Sequence, residues 1–369
     1  GSYRFPLCPA SWHYLAPARS LQDGPVATAL PPGARYVGYR TESGKLAVLD
    51  ARCAHVGSDL SKGAVTGECL RCPLHGWEYD AGGTCVRIPA GAEIPRWARQ
   101  ATYPVEQIGG HVFFFNRPQA TFPFPTFAGI DWAALHPARP FELVVDAPWH
   151  VVSANGFDLQ HFRFSHDREL IGDPRIDAPH ALARRLVARF RVVGRSWRDA
   201  LTRSCSGPEL TMTVTDWVGS LVLVTAQFSR TTSYGLVTLR PLDQGRTLAR
   251  VIVFVRRRAS GSGHLLNPLE AMDGLDAWIR RGFIRAFLQP DVELTAGVTY
   301  HPRRLIGPDQ ILRDHLEWLE HVHASPGPAP SQGPSQPHPS NTAPSPRPSP
   351  SPSQSQTQAQ AQAQRQAAL

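Results

Sequence analysis

Two short motifs, Cys53-Ala-His55 and Cys72-Pro-Leu-His75, each pair a thiol with an imidazole, and sixteen residues separate them. Close-spaced pairs on two loops can bring two sulfurs and two ring nitrogens to one place, which is a metal site. An iron-sulfur cluster with two Cys on one iron and two His on the other needs one Cys and one His from each loop, with Pro and Gly shaping the turns. Structural zinc is the alternative. Cys69 and Cys72 form a Cys-x-x-Cys that leaves zinc open by counting alone, although such sites usually carry a later His pair.

A second group stands at Asn155-Gly-Phe-Asp158-Leu-Gln-His161-Phe-Arg-Phe-Ser-His166. Asp158 and His161 are three apart and His161 and His166 five apart, so a helix that loosens near His166 can turn all three toward one point. Two His and one carboxylate on one face hold iron(II) in non-haem oxygenases and leave the opposite positions open. A lone His pair is more often structural.

The surroundings of both groups resemble the Rieske family. Leu49-Asp50 precedes the first loop, Gly57 and Leu60 follow it, and Gly63 precedes the second loop. Cys72-Pro-x-His75-x-Trp77, Tyr79-Asp80 and Gly83 then close the pattern. Ser58 and Leu74 stand where the respiratory-complex type carries two further, disulfide-forming Cys. The variant is therefore similar to that of ring-hydroxylating oxygenases and their ferredoxins. Asp158-x-x-His161-x4-His166 and Phe287-Leu-x-x-Asp291-Val-Glu293 are similar to the iron motifs of Rieske non-haem iron oxygenases. The likeness covers about residues 10 to 120 well, and 150 to 170 and 280 to 295 by motif.

This resemblance implies a [2Fe-2S] cluster on Cys53, His55, Cys72 and His75. Such a cluster has a potential of about −150 to +300 mV, against about −400 mV for an all-Cys plant type. It also implies a mononuclear Fe(II) on His161, His166 and Asp291, with Glu293 in reserve for Asp291. By the same pattern Asp158 is not a ligand; it hydrogen-bonds His161 on one side and His75 of a neighbouring chain on the other. Asn155 shapes the substrate pocket. The expected fold is α+β, a small antiparallel β Rieske domain followed by a helix-grip catalytic domain with an antiparallel sheet and C-terminal helices. The expected activity is O2-dependent monooxygenation of a bulky hydrophobic substrate. Ketosteroid hydroxylases, cholesterol desaturases and aminopyrrolnitrin oxygenases are the most similar members, with steroid or sterol preferred over an aromatic or arylamine substrate. A ferredoxin or reductase supplies the electrons, because the chain has no flavin or nicotinamide fingerprint. A head-to-tail homotrimer brings cluster and iron together. The rival is a Rieske electron-transfer or lipid-binding protein without the second iron.

The elements that must position these residues follow from the chain's patterning. Residues 3–122 read as the Rieske domain, 123–323 as the catalytic domain, and 324–369 as a Pro-, Ser- and Gln-rich tail with too little apolar surface to fold. Tyr36–Arg40, Leu46–Asp50, Cys85–Ile88 and His111–Phe115 are short strand runs, and Trp12-His-Tyr-Leu resembles the opening of oxygenase Rieske domains. His13 there reads as an ordinary strand residue. Phe122-Pro-Phe-Pro-Thr-Phe is a linker, and strand runs follow at Phe141–Trp149, Leu221–Thr225 and Ala249–Val255. A helix runs from about Leu265 to Leu288, with Pro290 set to break or kink it just before Asp291, and an amphipathic helix covers Gln310–His323.

Composition bounds the rest. A hydrophobic share of 42% is ordinary for a globular chain. The six cysteines form no secreted-type framework, so the expected compartment is the reducing cytoplasm, with a removed targeting segment left open. No run of 18 apolar residues offers a transmembrane span. The net charge of +8 comes largely from Arg clusters, which suit a solvated basic face or an acidic electron donor. No nucleic-acid motif is present.

Overall fold

Runs of β-branched and aromatic residues punctuated by Gly and Pro build the first hundred residues as strands of three to seven. A computed structural model describes residues 2–258 and 268–324. The tail expected over 324–369 lies outside them, apart from Ala324, which ends the last helix; so does the expected helix start near Leu265.

The strands in order are β1 (Trp12–Pro17), β2 (Val26–Leu30), β3 (Ala34–Arg40), β4 (Leu46–Asp50), β5 (Ala64–Thr66), β6 (Cys69–Arg71), β7 (Glu78–Asp80), β8 (Cys85–Arg87), β9 (Thr102–Tyr103), β10 (Val105–Ile108) and β11 (His111–Phe115). They form three antiparallel sheets, ordered β1-β11-β10, β2-β3-β4-β9 and β5-β6-β7-β8. The last sheet is inserted between β4 and β9, and it carries the chemistry. One Cys/His loop follows β4; the other joins β6 to β7.

The Pro-rich crossing after β11 is packed by its aromatic residues. Phe122 and Phe127 are buried in a core that also holds Trp12, Phe113 and Phe115 on one side and Tyr234 and Phe254 on the other. Trp12 Nε1 donates to the Phe122 carbonyl at 3.0 Å. Two strand systems therefore share one hydrophobic seam.

Beyond it come β12 (Leu135–Pro137), β13 (Phe141–Val145), α1 (Trp149–Ala154), α2 (Leu159–His166), β14 (Arg168–His180), β15 (Ala183–Val192), α3 (Trp197–Cys205), β16 (Glu209–Trp217), β17 (Leu221–Phe228), β18 (Thr232–Pro241), β19 (Thr247–Arg256), α4 (Pro268–Leu294) and α5 (Gln310–Ala324). The large antiparallel sheet runs β12-β19-β18-β17-β16-β15-β14, with β13 also paired to β19. Strict alternation on β16 turns Leu210, Met212 and Val214 inward. α4 packs on the sheet through Ala277, Ile284 and Leu288, which gives the α+β arrangement of a sheet gripping a long helix.

Pro290 does not end α4, which runs on to Leu294. Proline removes one amide donor and disfavours a helix interior. Packing of Phe287, Leu288 and Val292 on the domain outweighs that cost here, and Thr295 closes the helix by donating its backbone amide to the Asp291 carbonyl at 3.0 Å.

Candidate metal centres

The two Cys/His loops repeat one hydrogen-bond pattern. The Cys53 amide donates to the Ser58 carbonyl and the Gly57 amide to the Cys53 carbonyl, both at 2.8 Å. In the second loop the Cys72 amide donates to Trp77 at 2.8 Å and the Gly76 amide to Cys72 at 3.1 Å. Gly57 and Gly76 take φ of +79° and +71°, a region open to glycine at little cost. Each loop thus buries its Cys at the base and lifts its His toward the tip.

At the base the Cys53 Sγ lies 3.1 Å from the Tyr79 hydroxyl. Burial pushes the Cys53 thiol up; the Tyr79 hydrogen bond opposes this, and the neighbouring Cys72 adds to it. At the tip the Nδ1 atoms of His55 and His75 face each other at 3.1 Å. Trp77 stacks on the His55 ring, centroids 4.4 Å apart and planes within 6°. Among the described residues, no three of these four side chains bring ligand atoms within 4.8 Å of one another. A single tetrahedral ion would require that. A thiol pair and a separate imidazole pair suit a two-iron cluster. Cys69 sits on β6 opposite Asp80 and joins no such group, so the Cys-x-x-Cys reading of zinc has no geometry behind it.

The second group assembles where α2 meets α4. Asp158 caps α2: its Oδ1 accepts the amides of Gln160 at 3.1 Å and His161 at 3.2 Å. Asp158 contacts the His161 ring through its main-chain carbonyl, 3.1 Å from Nδ1, rather than through the carboxylate that the resemblance implied. The carboxylate is already committed to capping, and the carbonyl sets the imidazole with Nε2 free. Asp167, at φ +52°, ends the helix in the left-handed conformation directly after His166, which lets two His five residues apart converge. Phe287 stacks on the His166 ring with centroids 3.9 Å apart.

His161 Nε2 and His166 Nε2 are 2.9 Å apart, and Asp291 Oδ1 lies 3.4 Å from the first and 3.0 Å from the second. Three ligands on one face of an octahedron with bonds of about 2.1 Å lie about 3 Å apart, so the spacing fits a facial triad. Asp291 Oδ1 is buried and has no well-directed hydrogen bond. A cation between the three atoms would satisfy it. Burial works against the charged form of both Asp291 and His161. Their mutual attraction prevails nonetheless, holding the Asp291 carboxyl below and the His161 imidazolium above its ordinary range. A metal entering there displaces a proton. Glu293, the reserve ligand, is exposed and outside the group. Asn155 Nδ2 stands 3.2 Å from His161 Nε2.

His161, Asn155 and Asp291 form one end of a cavity of about 150 Å³, lined otherwise by aliphatic side chains such as Leu143, Val214, Val237 and Val251. Behind its wall lies a network that the sequence reading missed. Buried Asp216 accepts from the Ser153 hydroxyl and from the Gly219 amide, the latter at 2.6 Å; His315 Nε2 stands 3.0 Å from its carboxylate without hydrogen-bond alignment, and Phe157 stacks on the His315 ring. The available signal was a carboxylate on the inward phase of β16, where Leu210, Met212 and Val214 precede it. Phe287 had a signal too, lying one helical turn before Asp291.

Residues 11–104 match the family described as the Rieske [2Fe-2S] domain. The chain carries a Rieske domain. Two curated relatives are similar over part of the sequence. A probable 3-ketosteroid-9-alpha-monooxygenase oxygenase component from Rhodococcus rhodochrous is 31% identical over 177 residues, 46% of this chain and 39% of the relative. A cholesterol 7-desaturase from Ciona intestinalis is 29% identical over 165 residues, 44% of this chain and 35% of the relative. The matched region thus spans less than half the length of these relatives. Over a larger share of the chain the likeness is one of fold. NdmA of Pseudomonas putida CBB5, solved with caffeine, superposes with a TM-score of 0.63 at 19% identity, covering 85% of this chain and 91% of that one. Among the described residues no helix is long and apolar enough to cross a membrane.

Proposed function

We propose that this chain is the oxygenase component of a Rieske non-haem iron system that monooxygenates a bulky hydrophobic substrate. The observation that carries this reading is the convergence of His161, His166 and Asp291 at one end of an apolar cavity, in a chain that also carries a Rieske domain. When bound, a [2Fe-2S] cluster on Cys53, His55, Cys72 and His75 supplies single electrons, and an iron on His161, His166 and Asp291 supplies O2 activation. The protein contributes the positioning. The Asp158 carbonyl fixes the His161 tautomer, Phe287 fixes the His166 ring, and Asn155 sits beside the open face. The aliphatic walls exclude water and hold the substrate.

The cavity's enclosed space suits one or two rings, since a cavity of about 150 Å³ takes benzene. A sterol would therefore bind with the attacked end inside and the remainder projecting. Steroid or sterol is the favoured substrate class because the relatives reported above are named for ketosteroid and cholesterol chemistry. A separate ferredoxin or reductase delivers the electrons to the cluster.

A head-to-tail homotrimer fits two unlike apolar surfaces. Val56, Leu74 and Trp97 are exposed around the His tip, and Phe164 and Ile306 are exposed around Asp158, where Asp309 bonds Gln160. A heterologous contact between unlike patches closes into a ring where its rotation is a third of a turn. In that ring the free side of Asp158 faces His75 of a second copy. Iron quantification with product mass analysis tests the proposal, using a surrogate reductase and a panel of sterols, ketosteroids and polycyclic aromatics. About three irons per chain and a product heavier by one oxygen are expected; about two irons with no product would refute it.

A further inference from the structure

α4 carries apolar residues on the side it turns to solvent. Met272, Leu275, Trp278 and Ile279 are exposed at 52, 58, 66 and 43%, and they recur at the three- and four-residue spacing of one helical face. Ala277, Ile284 and Leu288 already occupy the side packed on the sheet, so the solvent-facing row contributes nothing to the core. α3 extends the patch. Trp197, 67% exposed, approaches Phe283 of α4 with centroids 6.4 Å apart, and Leu201 is exposed one turn further on. Monomer surfaces rarely gather two Trp and four large aliphatic side chains without a partner.

The charges around the patch say what that partner is. The acids in the first turns of α4, beside the patch, are paired: Glu270 with Arg257, Asp273 with Arg258, and Asp276 with Arg280 and Arg258. Arg195, Arg198 and Arg285 stand exposed at the rim, Arg198 with its guanidinium 5.1 Å from the Trp197 ring and Arg285 two turns beyond Trp278 on the same face. Tryptophan and aliphatic residues ringed by unpaired Arg make a surface suited to lie in the headgroup region of an anionic bilayer. We propose that the α3–α4 face docks this chain on an anionic lipid surface. The patch is distinct from the surface assigned above to a second copy. Ile279 precedes Asp291 by three turns, about 18 Å along the helix. Farther along the same helix, Phe287 and Leu288 line the cavity, so docking would bring the cavity near the lipid from which an apolar substrate partitions. That last use rests on the proposed function; the docking itself does not.

Flotation of the full chain with vesicles tests it. The vesicles are phosphatidylcholine alone or phosphatidylcholine with phosphatidylglycerol, and no turnover is measured, so failure of the enzymatic reading leaves the result intact. The chain should float with the anionic vesicles, less so as salt rises. Leu275→Gln with Trp278→Gln should lower the bound-to-free ratio at least tenfold, and Arg198→Gln with Arg285→Gln should lower it only on anionic vesicles. Val144→Thr, an exposed apolar position on β13, should change neither. All four helix positions are exposed, so these variants should keep the wild-type unfolding midpoint. A chain that stays unbound, or binds equally well with the double substitutions, overturns the proposal. So does an assembly that shrinks only when Leu275 and Trp278 are replaced, since a second copy then covers the face, and so does retention of the patch by an acidic electron donor but not by vesicles.

Discussion

Replacing Asp216 by Ala should be among the most destabilising single changes in this chain outside the metal ligands. The carboxylate is fully buried and accepts two donors, the Ser153 hydroxyl and the Gly219 amide, the latter at 2.6 Å, with His315 Nε2 packed 3.0 Å away. Removing an acceptor leaves each buried donor without water or partner, at about 1–3 kcal/mol apiece. The Ser153 hydroxyl can turn toward the neighbouring cavity, so its share falls at the low end; the Gly219 amide cannot turn. The total is about 2–4 kcal/mol, which for a chain of this size lowers the thermal midpoint by roughly 3–5 °C. His315→Leu alone removes the ring nitrogen beside the carboxylate and forfeits the stack on Phe157, whose centroid lies 3.7 Å from the His315 ring. The double variant removes ring and carboxylate together, and buried pairs replaced by apolar groups cost much less than the sum of the halves. Thermal and urea unfolding of wild type, both single variants and the double variant give the coupling directly. An Asp216→Ala chain within about 1 kcal/mol of wild type, or a coupling of zero, would refute the claim that these groups form one buried unit.

Three further outcomes are expected. Asp291→Ala should reduce iron from about three to about two per chain while the visible cluster absorption persists, whereas Glu293→Gln should change neither; loss of the cluster colour in Asp291→Ala would contradict the separation of the two centres. Asp158→Asn keeps a good N-cap for α2 but removes the charge. Metal content should hold and turnover with a surrogate reductase should fall at least tenfold, so undiminished turnover would remove Asp158 from the electron path. Burial, helped by Arg117 and Arg240, pushes the His13 imidazole down to about 4 despite its contact with the Pro9 carbonyl. Below about pH 6.5 the unfolded chain takes up a proton that the native state refuses, so stability is lost as pH falls toward 4, by about 3 kcal/mol for this one group. His13→Gln should flatten that slope in urea unfolding; an unchanged slope would show that His13 is not a source of it.

The parts of the two centres that were legible in the sequence are those whose partners lie close along the chain. Cys53 with His55, Cys72 with His75, and His161 with His166 each sit on a single loop or helix, where spacing alone fixes who can meet whom. Asp291 arrives from a helix that begins a hundred residues after His166, and only the resembled context Phe287-Leu-x-x-Asp291 singled it out. Asp216, His315 and Ser153 come from a strand and two helices, with no shared motif to announce them. Pro290 marks a related limit, since a local rule about helix breaking yielded to packing that only the fold supplies. α4 marks the strongest one. Apolar residues surround it almost entirely, so period alone assigns no face, and the same pattern would suit a helix sunk in a core. Only the burial of Ala277 on one side and the exposure of Trp278 on the other separate residues that stabilise the domain from residues free to serve a surface. Substitutions on those two faces should therefore diverge: at Ala277 a larger side chain has no room and must cost stability, while at Trp278 a polar one costs none.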